Sequence, residues 1–201
     1  MWFEKKYTAF REITYKWRAK YFQPVLKLLA ILKITPNQIT TFRLLFIFPI
    51  AYYFYLGNLF GVLIFYLLFW FLDLFDGSLA RYLNATNDKG GFLDTLVDHF
   101  VYSVLILGFI YLQAANILLL AYNIVVQLFI NLLVNIKNWK KEESNWLIKV
   151  KPVVPYFKTI AHLFLFLYVF GINFLNPAFV ILNLWMTIVS LYYFFIIQKE
   201  A

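Results

Sequence analysis

Long apolar runs separated by short polar breaks make up most of the chain after residue 34. Six of these runs approach the roughly 20 residues that an α-helix needs to cross a bilayer core of about 30 Å. They predict an all-α, polytopic membrane protein with six transmembrane helices in a single domain, residues 35–201. The six runs are Ile39–Leu56, Leu59–Ala80, Gly91–Gln113, Asn116–Ile136, Tyr156–Gly171 and Pro177–Ile197.

Residues 1–34 follow a different pattern, in which aromatic and basic side chains are mixed and acids are few. Such a stretch suits an amphipathic helix that lies at the cytoplasmic membrane interface, ahead of the spanning helices. A role as an electrostatic anchor is what this composition favours. Pro36 disfavours a helical residue before it, and Asn37 is a good N-cap, so we predict that the first spanning helix begins here.

Composition and charge narrow the class of protein. The 201 residues are 63% hydrophobic and 14% charged, which soluble domains rarely approach. The loops Gly57–Asn58, Gln113–Asn116 and Gly171–Pro177 carry no charge. By the positive-inside rule, the charged side and both termini face the cytoplasm, and the cell membrane is the expected location. The net charge of +8 favours membrane lipids with anionic headgroups and phosphorylated substrates over nucleic acid.

Four aspartates interrupt this apolar pattern: Asp73 and Asp76 in the second run, Asp94 and Asp98 in the third. An acid at a helix centre in a membrane costs roughly 2.5–3.5 kcal/mol on insertion scales, so a partner is required. The spacings of three and four residues place each pair on one helix face, and the two helices meet at one turn. We therefore expect the carboxylates to converge on a divalent cation. Oxygen ligands favour magnesium, calcium or manganese over zinc.

Small and basic residues accompany the acids. Gly77 and Ala80 leave space beside the backbone for a flat ring or a ribose, and Arg81 supplies a cationic fork suited to phosphate. Acids that hold metal, open space and an arginine are the components that phosphoryl transfer needs.

The whole segment Asp73-x2-Asp76-Gly77-x2-Ala80-Arg81-x8-Gly90-x3-Asp94-x3-Asp98 resembles the signature of the CDP-alcohol phosphotransferases, integral membrane enzymes of phospholipid synthesis. The resemblance extends to Pro36-Asn37-x2-Thr40 and to Lys158-Thr159. It implies an enzyme that moves a phosphatidyl-type group from a CDP-linked lipid such as CDP-diacylglycerol to a small hydroxyl acceptor, releasing CMP.

The resemblance also implies roles for individual residues. Asp73, Asp76 and Asp94 would hold two Mg²⁺ or Mn²⁺ ions, and Asp98 would contribute to the second ion and act as general base on the acceptor hydroxyl. The nucleotide would contact Gly77, Ala80, Arg81, Asn37 and Thr40.

The acceptor site is less specified by the sequence. Lys158 begins a predicted helix beside Thr159 and is the candidate for an acceptor phosphate. Arg43 either snorkels to the interface or joins the acceptor or nucleotide pocket, and we group it with Lys158. The stretch from Pro36 to Pro49 resembles enzymes that use glycerol 3-phosphate, whereas inositol phosphate or serine are acceptors of other members. Enzymes that use glycerol 3-phosphate usually have lysine after the last aspartate of the signature, and those that use inositol phosphate have arginine. His99, which follows Asp98, departs from both patterns.

A divalent-cation transporter is the alternative from another class, since its acids would also be buried. A member that has lost catalysis is a third, although all four acids are retained. The fourth run carries Asn123, Gln127, Asn131 and Asn135 on one face, which favours hydrogen bonds between helices and is compatible with a homodimer. His99 and His162 are isolated, which favours hydrogen-bonded packing over metal ligation.

Overall fold

A computed structural model describes residues 2–139 and 166–199 of the chain. The regular structure in these ranges is entirely helical, which confirms the all-α prediction. The helices are α1 (Trp2–Ile31), α2 (Pro36–Leu44), α3 (Ile47–Tyr55), α4 (Leu59–Tyr82), α5 (Asp88–Tyr111), α6 (Ile117–Trp139) and α7 (Leu175–Lys199).

The chain divides into two compact units, Met1–Leu105 and Ile106–Ala201. The first unit contains α1 to α4 and most of α5, and the second contains the end of α5 with α6 and α7. Three of the described helices, α4, α5 and α7, are long and apolar enough to cross a membrane. The count of six spans is not confirmed, and most of the fifth predicted run lies outside the described residues.

In the first unit, α1, α2 and α3 all pack on α4. Leu26 of α1, Ile39 of α2 and Leu79 of α4 form a shared apolar cluster in which each side chain is at least nine-tenths buried. Phe22 stacks on Phe75 beside this cluster, with ring centroids 4.6 Å apart. The predicted N-terminal helix is therefore present and fixed against α4, although its position at a membrane surface stays a prediction.

The first predicted spanning run, Ile39–Leu56, forms two helices instead of one. The chain makes a turn at Leu45 and Phe46, between α2 and α3. Pro49 explains the break, because it has no N–H to donate to the Leu45 carbonyl and its ring crowds that carbonyl. The Leu45 oxygen instead accepts from the Phe48 amide at 3.2 Å. The result is a separate nine-residue helix, α2, that presents its side chains to α4 and α5.

Thr35, and not Asn37 as predicted, is the N-cap of α2. The Thr35 hydroxyl accepts from the Gln38 amide at 3.3 Å, and the Gln38 side chain accepts from the Thr35 amide at 2.8 Å. This reciprocal capping box satisfies two of the free N–H groups at the helix start. Pro36 occupies the first turn, where its missing N–H is harmless. The Asn37 side chain is thus left free of any capping duty.

In the second unit, polar side chains join α6 to α7. Asn123 donates to Asn183 at 2.7 Å, and Asn183 donates to the Leu119 carbonyl at 2.8 Å. The helix-to-helix hydrogen bonding predicted for the amide face is confirmed at Asn123. Asn131 instead donates to the Gln127 carbonyl within α6. The side chain of Asn135 lies outside the described residues, and a homodimer stays a prediction.

Candidate metal and nucleotide site

The four predicted aspartates converge on one side chain, the guanidinium of Arg43. Its Nη1 atom lies 2.7 Å from Asp76 and 2.6 Å from Asp94, and its Nη2 atom lies 2.8 Å from Asp73 and 2.5 Å from Asp98. The carboxylates of α4 and α5 are therefore at one depth, as the helix spacing predicts. All of them belong to the first unit.

Arg43 is completely buried. One face of its guanidinium is covered by the ring of Phe69, whose centroid lies 4.5 Å from Cζ. Of the two alternatives given for Arg43, snorkelling to the interface does not fit this position, because its charge is neutralised inside the helix cluster. Its assignment to the acceptor site with Lys158 stays a prediction. The geometry also does not favour contact with an acceptor, since both terminal nitrogens already donate to carboxylates.

Thr40 lies one turn before Arg43 and faces the same acids. Its hydroxyl donates to Asp76 at 2.9 Å. Asp76 thus receives hydrogen bonds from Thr40 and Arg43, and its other oxygen lies beside the amide of Gly77. These contacts fix the most buried acid of the cluster; the side chains of Asp73, Asp94 and Asp98 are 36–40% exposed.

The acids fit a divalent cation. Asp73, Asp76 and Asp94 each offer a carboxylate oxygen, and these atoms lie within 4.8 Å of one another. An Mg²⁺ ion takes oxygen ligands at about 2.0–2.1 Å, so three oxygens this close can share one ion after small rotations. Asp98 contacts the same Arg43 nitrogen as Asp73, which places it at the edge of this set. The donors are all carboxylates, the type that suits Mg²⁺ or Mn²⁺.

A tight turn between α4 and α5 forms one wall of the site. Asn84 adopts a left-handed conformation (φ 51°), and the Ala85 amide donates to the Ala80 carbonyl at 2.8 Å, an arrangement that ends a helix. Asn87 then starts α5, because its side chain accepts from the Gly90 amide at 2.7 Å. Asp88, Gly90 and Gly91 belong to the first turn of α5, so this helix begins three residues before the predicted run Gly91–Gln113.

Above the acids lies a cavity of about 230 Å³. All five residues predicted to contact the nucleotide line it, together with Asp76 and Asp94. Sequence reasoning missed Thr86 and Asn87, which also line the cavity; their place between the two pairs of acids is the signal that could have found them. The lining residues include Asn37, Thr40, Gly77, Ala80, Arg81, Thr86, Asn87 and Gly90.

Gly90 lies at a close approach in this cavity. A Cβ atom at this position would lie 3.3 Å from the side-chain oxygens of both Asn37 and Asn87. That separation is tighter than most carbon contacts, so a side chain would push the two amides apart. The glycine of the signature therefore allows α2 and α5 to approach each other at the cavity wall.

The space beside Gly77 is taken by Arg81. A Cβ at Gly77 would meet the Arg81 Nη1 at 3.5 Å, an ordinary contact. The Arg81 guanidinium also lies over the ring of Tyr15, 4.0 Å from its centroid, and donates to the Ser78 hydroxyl at 3.4 Å. Arg81 is thus held between α4 and α1 at the rim of the cavity.

An apolar cavity of about 600 Å³ lies on the other side of α2. Gln38 and Ile39 line it and directly follow Asn37 of the polar cavity, and Phe75 lines it and directly precedes Asp76. The remaining lining residues come from α1, α2, α4 and the turn before α2: Val25, Leu29, Ile34, Phe42 and Leu72.

Lys158 is the remaining predicted site residue, and the two histidines are predicted to have packing roles. A ring nitrogen of His99 lies 2.6 Å from the Thr95 carbonyl, which confirms the hydrogen-bonding role predicted for it. His162 and Lys158 lie outside the described residues.

A family model described as CDP-alcohol phosphatidyltransferase matches residues 33–196. The chain belongs to this family. The sequence-based resemblance is therefore confirmed, and the converging acids lie within the matched region. Membership in the CDP-alcohol phosphatidyltransferase family, together with the long apolar helices α4, α5 and α7, identifies the chain as an integral membrane protein.

Individual relatives of this CDP-alcohol phosphatidyltransferase family member match over part of its length. An archaetidylinositol phosphate synthase from Pyrococcus horikoshii is 42% identical over 86 residues, which cover 41% of this chain and 46% of the relative. An uncharacterized protein from Aquifex aeolicus is 36% identical over 78 residues, covering 39% and 40%. The chain thus spans less than half the length of either curated relative.

Solved structures show the same fold. The phosphatidylinositol phosphate synthase of Mycobacterium tuberculosis in complex with manganese and citrate has a TM-score of 0.58 at 16% identity, covering 85% of this chain and 83% of that one. The same enzyme with CDP-DAG bound has a TM-score of 0.58 at 16% identity, covering 87% and 90%.

Proposed function

We propose that this protein transfers a phosphatidyl-type group from a CDP-linked lipid to the hydroxyl group of a small alcohol, with release of CMP. The observation that carries the proposal is a cluster of four carboxylates, two of which, Asp76 and Asp94, line a cavity together with all the residues predicted to bind the nucleotide. Membership in the CDP-alcohol phosphatidyltransferase family supports it.

Asp73, Asp76 and Asp94 would hold Mg²⁺ or Mn²⁺, with Asp98 beside a second ion. Bound metal would supply positive charge that neutralises the phosphate oxygens. Four carboxylates and Arg43 leave a formal charge of −3, so the site retains negative charge for divalent cations to balance. A related structure that contains manganese supports the choice of ion.

Asp98 is proposed as the general base. Its side chain is 36% exposed, and its Oδ1 atom lies 2.5 Å from Nη2 of Arg43. The acceptor hydroxyl gives its proton to the Asp98 carboxylate, and the acceptor oxygen forms a bond to the phosphorus that carries the lipid. The bond from that phosphorus to the CMP phosphate breaks, and CMP leaves with the electron pair.

The cavity side chains would bind the leaving nucleotide. Asn37 and Asn87 offer amide groups to a base, and Arg81 offers its guanidinium to the diphosphate. The neighbouring apolar cavity supports a substrate that joins a nucleotide to a lipid, because adjacent residues of α2 and of α4 line the polar cavity and the apolar cavity. A soluble nucleotide has no lipid chain to place in the apolar cavity.

The acceptor is proposed to be a phosphorylated small alcohol, with Lys158 binding its phosphate. Glycerol 3-phosphate is favoured by the resemblance of the stretch from Pro36 to Pro49. Inositol phosphate is the second candidate, and the name of the Pyrococcus relative favours it. Both acceptors share a charged phosphate and a free hydroxyl. The charge pattern of the loops supports a cytoplasmic active site in the cell membrane.

The deciding experiment incubates the purified full chain with CDP-diacylglycerol or its ether-lipid counterpart, Mn²⁺ or Mg²⁺, and each acceptor in turn, and measures CMP. We expect CMP release that requires the metal and one phosphorylated acceptor. The proposal would be overturned in favour of a transporter if no acceptor gave CMP release and vesicles with the protein in their membrane took up the metal ion.

A further inference from the structure

The N-terminal helix α1 contacts the nucleotide-binding machinery through one aromatic side chain. The ring of Tyr15 lies under the Arg81 guanidinium, with 4.0 Å between the Arg81 Cζ and the ring centroid. An arginine this close to an aromatic face is held by attraction to the ring quadrupole. Arg81 lines the polar cavity, so a contact that orients it acts on that cavity.

The face of α1 that carries Tyr15 is fixed on α4 by packing. Tyr15 and Phe22 are seven residues apart, which is about two turns, so they share one face of the helix. Phe22 stacks on Phe75 of α4, and Leu26 continues the contact into the shared apolar cluster. Tyr15 is half-buried, whereas Trp17 and Tyr21 are more than half exposed.

The stack also restricts where Arg81 can point. With Tyr15 on one side, the guanidinium lies beside the small residue Gly77 and the Ser78 hydroxyl. A long arginine side chain has many rotamers, and ordering one of them on substrate binding lowers affinity. The Tyr15 ring selects a rotamer before the substrate arrives.

We propose that Tyr15 is a positioning residue for the CDP-linked lipid, holding Arg81 in the orientation that binds the diphosphate. Helix α1 therefore contributes to substrate binding in addition to its predicted role as a membrane anchor. This inference rests on the proposed function, because it takes the diphosphate of the CDP-lipid as the ligand of Arg81.

The test compares Tyr15→Leu with Tyr15→Phe and Tyr21→Leu in the full-length protein. The probe is CDP with Mn²⁺, whose binding is measured by calorimetry, alongside the KM values for CDP-lipid and acceptor. We expect Tyr15→Leu to weaken CDP binding and raise the CDP-lipid KM by roughly three- to tenfold, the usual effect of losing one such contact. Tyr15→Phe keeps the ring face and should bind like the wild type.

Tyr21→Leu is the matched control. It removes a tyrosine from the same helix, but from an exposed position where the ring packs on Trp17 of α1 itself, with centroids 4.8 Å apart. Equal losses in Tyr15→Leu and Tyr21→Leu would show that α1 acts only as an anchor and would overturn the inference. Wild-type CDP binding in Tyr15→Phe, together with an unchanged acceptor KM in Tyr15→Leu, would support the inference.

A second variant pair separates positioning from simple destabilisation. In an Arg81→Gln background, Tyr15→Leu should cause no further loss of CDP binding, because there is no guanidinium left to orient. A full additional loss would overturn the inference. If the wild type releases CMP but Tyr15→Leu binds CDP normally, the inference about Tyr15 is overturned and the proposed function stands. If the wild type releases no CMP with any acceptor, both the inference and the proposed function are overturned.

Discussion

The Nη1 atom of Arg43 lies 2.7 Å from Oδ2 of Asp76, and neither side chain is more than 7% exposed. Removing one partner of a buried ion pair destabilises a protein by about 3–5 kcal/mol, because the other charge stays buried without compensation. We expect Arg43→Ala to lower the melting temperature of the detergent-solubilised protein when metal is chelated. Thermal unfolding followed by fluorescence or circular dichroism checks this.

Arg43→Lys and added Mn²⁺ test whether the loss of the positive charge causes the lower melting temperature. A lysine keeps the charge but lacks the planar fork, so we expect an intermediate melting temperature. Mn²⁺ should raise the melting temperature of Arg43→Ala more than that of the wild type, since a dication replaces the missing positive charge. Equal melting temperatures of wild type and Arg43→Ala in chelator would contradict this account of Arg43.

Asp98→Asn should abolish transfer while leaving nucleotide and metal binding largely intact. The amide has nearly the shape of the carboxylate but cannot accept the acceptor's proton. CMP release measures the first effect, and calorimetry with CDP and Mn²⁺ measures the second. Wild-type turnover in Asp98→Asn would refute its assignment as the base.

Gly90→Ala tests the close approach at the cavity wall. The new methyl group would lie 3.3 Å from the side-chain oxygens of Asn37 and Asn87, so we expect it to displace one of them and raise the KM for the CDP-lipid several-fold. Gly91→Ala makes the same change one position later, where a Cβ meets open space. Its effect should be smaller, and equal effects would point to helix flexibility instead of crowding.

Lys158→Ala should raise the acceptor KM much more than the CDP-lipid KM, because the lysine is proposed to bind only the acceptor phosphate. Steady-state kinetics with each substrate varied in turn separates the two values. Equal increases would count against this role. Lys27→Ala, which removes an exposed lysine from α1, controls for the loss of one positive charge.

The Asn123–Asn183 contact predicts a double-variant result. Asn123→Leu removes the donor to the buried Asn183 and should lower stability by about 1–2 kcal/mol. Replacing both residues with leucine should cost less than the single change, because no buried amide is left without its partner. Melting temperatures decide this, and Asn131→Leu, whose hydrogen bond stays within α6, is the control.

Helix identity and the convergence of the acids were predictable from local sequence, whereas five of the cavity residues were predicted through the resemblance to the CDP-alcohol phosphotransferase signature. Asp73, Asp76, Asp94 and Asp98 lie at helical spacings on two helices that meet at a short turn, so their common depth follows from helix geometry alone. Apolar run length likewise predicted both ends of α4, α5, α6 and α7 to within three residues.

The partner of the acids was not predictable in the same way. Arg43 is 30 residues before Asp73 in the sequence, and its rotamer depends on how α2 packs against α4 and α5. A membrane arginine near a helix end can equally well extend to the interface. The break before Pro49 and the burial of Phe69 against the guanidinium decide between these outcomes, and both are tertiary features.

The capping box at the start of α2 leaves Asn37 outside the hydrogen bonds that hold the helix end, because Thr35 and Gln38 make them. Changes at Asn37 should therefore leave the fold intact. Because Asn37 is proposed to contact the nucleotide base, we expect that evolution or design can change nucleotide selectivity at this position without loss of the fold.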